Sequence, residues 1–303
     1  MKKKKLVLAF AMLLLSAVAL TTASYAWFTA NTKLSLGSLD VEVKASNGIT
    51  VSMDAQNWKS TLTTSEITSA IYTGSTNQFP KVLEPVSTIG STTAGIFDMY
   101  YGVLQEDGSI TLTKETDVQD TTGEVGKYLA FDIFIQSTAE KEIELLNSSN
   151  VTVNGELDAG LQYSTRVGFL NKGTDATNTP TTARELNSTV EQTIWEPNSD
   201  KHTAVAINSY GAVDGTSYTY LGAKAIGTSV ALNSETNFGT LSATLRTSKE
   251  DKSDWSSDSI FTVKAGITKV RIYIWIEGQD IDCENSASLG DGVSAVINLN
   301  AKA

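Results

Sequence analysis

The chain has 303 residues, 41% of them hydrophobic, and a formal net charge of −11. An acidic balance of this size repels nucleic acid and anionic membrane surfaces and keeps the chain soluble by self-repulsion, so a polyanion-binding role is excluded. A single cysteine, Cys283, and a single histidine, His202, exclude an intramolecular disulfide framework and a zinc site of the HExxH kind.

In chain order, Lys2–Lys5 form a basic n-region and residues 6–20 an uncharged apolar run. Ser24-Tyr25-Ala26 then places small residues at −3 and −1 of a cut between Ala26 and Trp27. The apolar run is about 15 residues, short of the roughly 20 that a stable spanning helix needs. Residues 1–26 are therefore read as a removable export signal, with no stable membrane insertion after cleavage. Loss of the four lysines takes the net charge from −11 to −15. An exported chain with one cysteine suits a Gram-positive-like exterior.

Beyond the cut, Leu34 and Leu36 alternate on one face; past Gly37-Ser38 the apolar set becomes Leu39, Val41 and Val43. A slip of one residue flips a strand's face unless a bend absorbs it, and Gly37 is the natural hinge. Residues 27–36 are thus separable from a single domain over 37–303. Asn47-Gly48, followed by Ile49, Val51 and Met53, predicts a hairpin over 38–53. Thr63-Thr64-Ser65-Glu66 has the form of a capping box that opens a short helix to about Tyr72. Residues 79–95 read as a loop, and 100–104 with 110–113 as a hairpin around Glu106-Asp107-Gly108-Ser109.

Leu129, Phe131, Ile133 and Ile135 alternate in a well-marked strand. Residues 142–146, 151–153 and 161–170 are further strands. The Thr/Asn/Gly-rich stretch 171–197 predicts a long surface excursion with a little strand at 190–195. Residues 211–227 and 249–258 carry no clear period. Val270, Ile272, Ile274 and Ile276 face one way and Arg271, Tyr273 and Trp275 the other, and 293–299 form a final strand after Asp291-Gly292. Strands separated by turns, with almost no helical period, predict an all-β fold: a jelly-roll-like antiparallel β-sandwich with long loops and one or two short helices.

The run Ser24-Tyr25-Ala26-Trp27-Phe28-Thr29, followed by Leu36-Gly37-Ser38-Leu39-Asp40-Val41, resembles the start of TasA/camelysin-type secreted proteins. Trp275-Ile276-Glu277-Gly278-Gln279-Asp280-Ile281-Asp282-Cys283 resembles a pattern in clostridial secreted proteins with the same type of signal. The resemblance covers these two ends of the chain. It implies cleavage by a SipW-type signal peptidase and an extracellular jelly roll that self-associates into biofilm-matrix fibres, with other matrix proteins as further partners. It also implies that the N-terminal strand of one subunit completes the sheet of the next; here the donor is residues 27–36, with Trp27, Phe28, Leu34 and Leu36 as its apolar side chains. Strand addition supplies main-chain hydrogen bonds and pockets for alternate side chains, and a heterologous contact propagates into a filament.

Catalytic chemistry finds little support. His202, in the polar run 195–202, reads as part of an exposed loop and cannot by itself hold a hydrolytic zinc. No G-x-S-x-G elbow occurs, and the acidic turn before Cys283 raises a thiol's pKa rather than lowering it. No catalytic residue is assigned, and the chain is read as a non-enzyme. Calcium is the one cofactor suggested, with Glu277, Asp280 and Asp282 as closely spaced hard oxygen ligands, against the alternative of solvated turn carboxylates. Trp195, Tyr273 and Trp275 form either a sugar-stacking platform or ordinary packing. The sequence therefore favours a secreted structural subunit of an extracellular matrix or surface fibre, with a monomeric adhesin or carbohydrate/calcium-binding β-sandwich as the alternative.

Overall fold

The computed structural model describes residues 34–35, 39–104, 110–115, 125–154, 160–210, 212–216, 244–247, 259–278, 280, 282–283 and 292–302. Twelve strands build two facing sheets: β1 (Leu39–Ser46), β2 (Ile49–Ser52), β3 (Thr61–Leu62), β4 (Leu129–Ser137), β5 (Lys141–Leu145), β6 (Asn150–Asn154), β7 (Thr165–Asp175), β8 (Glu191–Glu196), β9 (Thr244–Thr247), β10 (Phe261–Val263), β11 (Gly266–Ile276) and β12 (Gly292–Ala301). One sheet has the order β9-β8-β7-β11-β4-β2, and the other β10-β5-β12-β1-β3, with β6 also pairing along β12. The all-β sandwich that the alternation predicts is present. Most pairings are antiparallel, but β12 runs parallel to β1 over Val293↔Leu39 to Asn300↔Ser46, and β8 runs parallel to β9.

The inward positions of both sheets form one apolar core that includes Val41, Val43, Val51, Phe131, Ile133, Ile135, Phe169, Ile272 and Ile297. Removing one such side chain leaves a cavity in a close-packed interior, at a cost of about 2–5 kcal/mol for Leu or Ile to Ala. The outer face of the first sheet is covered as well. Val86, Phe97 and Met99, from the segment before β4, pack with Tyr128, Leu170, Tyr273 and Trp275 in a second cluster. This cover buries every position of β11, so the alternating set Arg271, Tyr273 and Trp275 faces protein rather than water. Gly168 on β7 is required by that contact: a Cβ there would stand 2.7 Å from the Phe97 ring.

Three expectations are corrected. Asn47-Gly48 does form a tight turn, with left-handed φ of 59° and 81°, but it does not close a hairpin. β1 pairs with β12 and β3, whereas β2 pairs with β4, so the turn carries the chain from one sheet to the other. Alternation looks the same in both cases, because Val41, Val43, Ile49 and Val51 all point into the core. Residues 161–170 are not all strand. A short helix α2 (Leu161–Ser164) precedes β7, the first helix being α1 (Thr64–Ser69). The stretch 171–197 is a surface excursion only in its middle: residues 176–192 are largely exposed and the expected strand at 190–195 is β8, but the stretch also contains the end of β7 and the helix α3 (Pro180–Glu185), and Ile194, Trp195 and Glu196 of β8 are buried.

The capping box holds: the Thr63 backbone N–H donates to Glu66 Oε2 at 3.0 Å, and α1 follows. Strands 100–104 and 110–114 pair as expected, their turn lying outside the described residues. The stretch 79–95 carries the short strands Val82–Leu83 and Thr92–Thr93.

Candidate functional site

Two places bear on function: the N-terminal segment, and a buried charged centre where β11 ends.

Of the residues assigned to cleavage, donation and hinge, Ala26, Trp27, Phe28, Leu36 and Gly37 lie outside the described residues. Leu34 is described. Leu34–Ser35 forms a two-residue strand antiparallel to Val82–Leu83, with Leu34 opposite Leu83 and Ser35 opposite Val82. Val125–Gly126 pairs in parallel on the other side of Val82–Leu83. Leu83 is buried in the main core, so this small sheet lies against the sandwich. Leu34–Ser35 and β1 thus pair in different sheets.

The charged centre is assembled by the turn Glu277–Cys283. Strand β11 ends at Ile276 in a fully protein-covered layer. The Glu277 backbone N–H donates to the Ser164 carbonyl at 2.7 Å, and the Gly278 N–H to the Val86 carbonyl at 2.7 Å. These bonds direct the turn back under α2 and β7. At its middle is Arg166 of β7, 0% exposed, whose guanidinium bridges the carboxylates of Glu196 and Asp280. A second nitrogen of Arg166 donates to the Tyr163 carbonyl at 3.0 Å. Burial opposes the guanidinium charge, but Glu196, Asp280 and Glu277 outweigh it and raise its pKa further above the ordinary arginine range. Glu277 accepts from the Trp275 indole at 3.1 Å.

Beside this cluster, Asp282 binds His202. His202 Nδ1 stands 2.7 Å from Asp282 Oδ2 and Nε2 stands 2.8 Å from the Thr216 carbonyl. The other oxygen of Asp282 accepts the Thr203 backbone N–H at 2.7 Å. The start of a second helix is tied in here: Thr203 precedes α4 (Ala204–Tyr210) and its hydroxyl accepts the Ala206 N–H at 3.0 Å. Gly160, which opens α2 with φ of +80°, faces the Asp282 carbonyl so closely that a Cβ would collide with it. Burial, then the Asp280 charge, push the Asp282 carboxyl up to about 7. Burial works against a charged His202, yet its bonds to Asp282 and Thr216 raise its pKa overall.

The expected exposed loop at His202 is corrected: the residue is 8% exposed and both ring nitrogens are engaged. Glu277, Asp280 and Asp282 are equally buried, at 0%, 4% and 2%, so they are not solvated turn carboxylates. Their oxygens meet a guanidinium, an imidazole, an indole and backbone N–H groups. Among the described residues no group of three or more His, Cys, Asp or Glu is arranged to hold a metal. A buried carboxylate needs a compensating charge, and here Arg166 supplies it. Cys283 is buried beside this cluster, and burial, then Asp280 and Glu277, raise its thiol well above the usual range. A thiol held protonated is a poor nucleophile. Trp195, Tyr273 and Trp275 are each 0% exposed and offer no stacking platform.

Arg166 and Glu196 were not singled out in the sequence. The trace they leave is an arginine immediately before the apolar run Val167–Leu170 and a glutamate directly after Thr193-Ile194-Trp195, since a charge on a buried strand calls for a partner. Among the described residues no helix is long and apolar enough to cross a membrane. Comparison with protein-family models, curated proteins and solved structures finds no match to this chain.

Proposed function

We propose that the chain is an exported structural subunit of an extracellular matrix or surface fibre, assembled by exchange of its N-terminal strand between copies. The observation that carries this reading is the pairing of Leu34–Ser35 with Val82–Leu83, apart from the sheet that holds β1. A short strand of this kind, joined to the domain through Gly37, leaves one copy and occupies the same edge of the next without disturbing β1. The intramolecular and intermolecular pairings use the same hydrogen bonds, so exchange costs little enthalpy, and an open chain of such contacts gives a filament. The TasA/camelysin-type resemblance of residues 24–41 supports export by a SipW-type peptidase and the same mode of assembly.

The test uses protein with a native Trp27 end, incubated and viewed by electron microscopy. Fibres are expected, and deletion of residues 27–36 is expected to abolish them while circular dichroism stays that of the folded sandwich. Filaments from the truncated chain would reject strand exchange. A persistent monomer that binds glycans on an array would favour the adhesin reading.

A further inference from the structure

A strand adds to a sheet only where an edge offers unpaired main-chain groups, and this sandwich meets several of its own edges with side chains. Strand β10 has β5 on one side only, and the main-chain groups of Thr262 face its other side. Both are taken. The Thr262 N–H donates to Glu191 Oε2 at 2.7 Å, and Asn171 Nδ2 donates to the Thr262 carbonyl at 2.8 Å. Asn171 Nδ2 also donates to Glu191 Oε2 at 3.1 Å, so the amide and the carboxylate hold each other in place. Next to them Thr193 Oγ1 donates to the Ile260 carbonyl at 2.5 Å. Space is not what keeps a strand away, because a cavity of about 400 Å³ opens here, its lining including Glu191, Thr193, Ile260 and Phe261.

Strand β1 is closed in the same manner. On one side β12 flanks it along Leu39–Ser46, and on the other β3 pairs with Val43 and Lys44. At Val41 a single hydroxyl stands in for a strand: Thr64 Oγ1 accepts the Val41 N–H at 2.9 Å and donates to the Val41 carbonyl at 3.1 Å. On β6, the Val151 carbonyl accepts from Asn198 Nδ2 at 3.0 Å. These caps belong to residues in the interior of the chain, so none can be handed to another copy. Val82–Leu83 differs, because its antiparallel neighbour is the main chain of Leu34–Ser35, close to the end that cleavage after Ala26 frees.

We infer that Thr64, Asn171 and Glu191 decide where a second copy of the chain adds: they close the edges of β1 and β10 to incoming strands and leave Val82–Leu83 as the acceptor. The inference rests on the strand-exchange reading above and names the residues that give the exchange its specificity. At Val82–Leu83 the swap is balanced, since the strand that leaves one copy is regained from another. At β1 and β10 an incoming strand competes with tethered side chains, which act at a far higher effective concentration.

The test uses the full chain from Trp27 with Leu34→Cys and Leu83→Cys, oxidised as a monomer so that the terminal strand is pinned in its own subunit. This pinned chain is expected to stay monomeric in size-exclusion chromatography with light scattering. Adding Glu191→Ala bares the Thr262 N–H and is expected to raise the mean mass about twofold or more at the same concentration. Glu191→Gln keeps an acceptor for that N–H and is expected to remain monomeric. Thr64→Ala is expected to associate through β1, and it carries the test if Glu191→Ala lacks the circular dichroism of the folded sandwich. A folded Glu191→Ala chain that stays monomeric would overturn the inference, as would a monomeric Thr64→Ala chain where the first variant does not fold. A Glu191→Gln chain that associates as fully as Glu191→Ala would overturn it too. Fibres from the pinned parent would instead reject strand exchange itself.

Discussion

His202 and Asp282, 80 residues apart, share a single proton. The Thr216 carbonyl can only accept, so Nε2 of the ring must carry a hydrogen. The 2.7 Å contact between Nδ1 and Asp282 Oδ2 then needs one more proton, held by the ring or by the carboxyl. Without it, a nitrogen lone pair would face a carboxylate in a buried site.

The pH dependence of stability follows from this proton. The pKa of His202 is raised, and Asp282 is pushed up to about 7. The folded chain therefore binds more protons here than the unfolded chain, whose Asp and His titrate near 3.9 and 6.5. Stability is fully present at low pH and is lost as pH rises through about 7 and beyond the ordinary imidazole range, with a slope of about 1.4 kcal/mol per pH unit for each proton. Urea unfolding between pH 5.5 and 8.5 measures it. Asp282→Asn replaces the shared proton by an amide N–H and still accepts the Thr203 N–H, so its stability is expected to vary much less with pH. An unchanged slope would show that the proton lies elsewhere.

Arg166→Met leaves Glu196 and Asp280 buried without their cation. A loss of about 3–5 kcal/mol is expected on breaking such a pair from one side. Adding Glu196→Gln and Asp280→Asn to the same chain is expected to restore part of it, because the bare carboxylates rather than the missing bonds dominate the cost. Equilibrium denaturation of the single and triple variants makes the comparison.

Cys283 is expected to resist thiol reagents in the native state. It is buried, and its thiol is held protonated by burial and by Asp280 and Glu277. Labelling by a chromogenic disulfide at pH 8 is expected to follow global unfolding and to be complete within minutes in denaturant. Rapid labelling of the folded chain would contradict the geometry at Ser164, Arg166 and Asp280.

Strand exchange has a covalent readout. Leu34 and Leu83 are direct partners in the register, and antiparallel partners lie at Cα separations that a disulfide can span. A Leu34→Cys, Leu83→Cys chain, oxidised after assembly, is expected to give a ladder of covalent oligomers on non-reducing gels. If the strand stays in its own subunit, the same chain will run as an intramolecularly bridged monomer.

The strands of this protein are largely legible in its sequence. Alternation places strands at 129–135, 270–276 and 293–299, which the structure extends to 129–137, 266–276 and 292–301, and the capping box places the helix at Thr64, because side-chain period and cap chemistry are local properties. Partner choice was not legible. Val41 and Val51 carry the same pattern whether their strands pair with each other or face each other across a core, and only the tertiary structure assigns them to opposite sheets.

The charged centre shows the same division. Glu277, Asp280, Asp282, His202 and Cys283 are each conspicuous as residue types, and the spacing of the three carboxylates suggests either calcium ligands or solvated turn carboxylates. Arg166 lies 30 residues from Glu196 and 114 from Asp280, distances over which no sequence period carries information. The sequence alone determined which groups could ionise and which strands could form. The tertiary structure decided which charges meet, because a buried carboxylate takes its character from whatever cation the rest of the chain brings within reach.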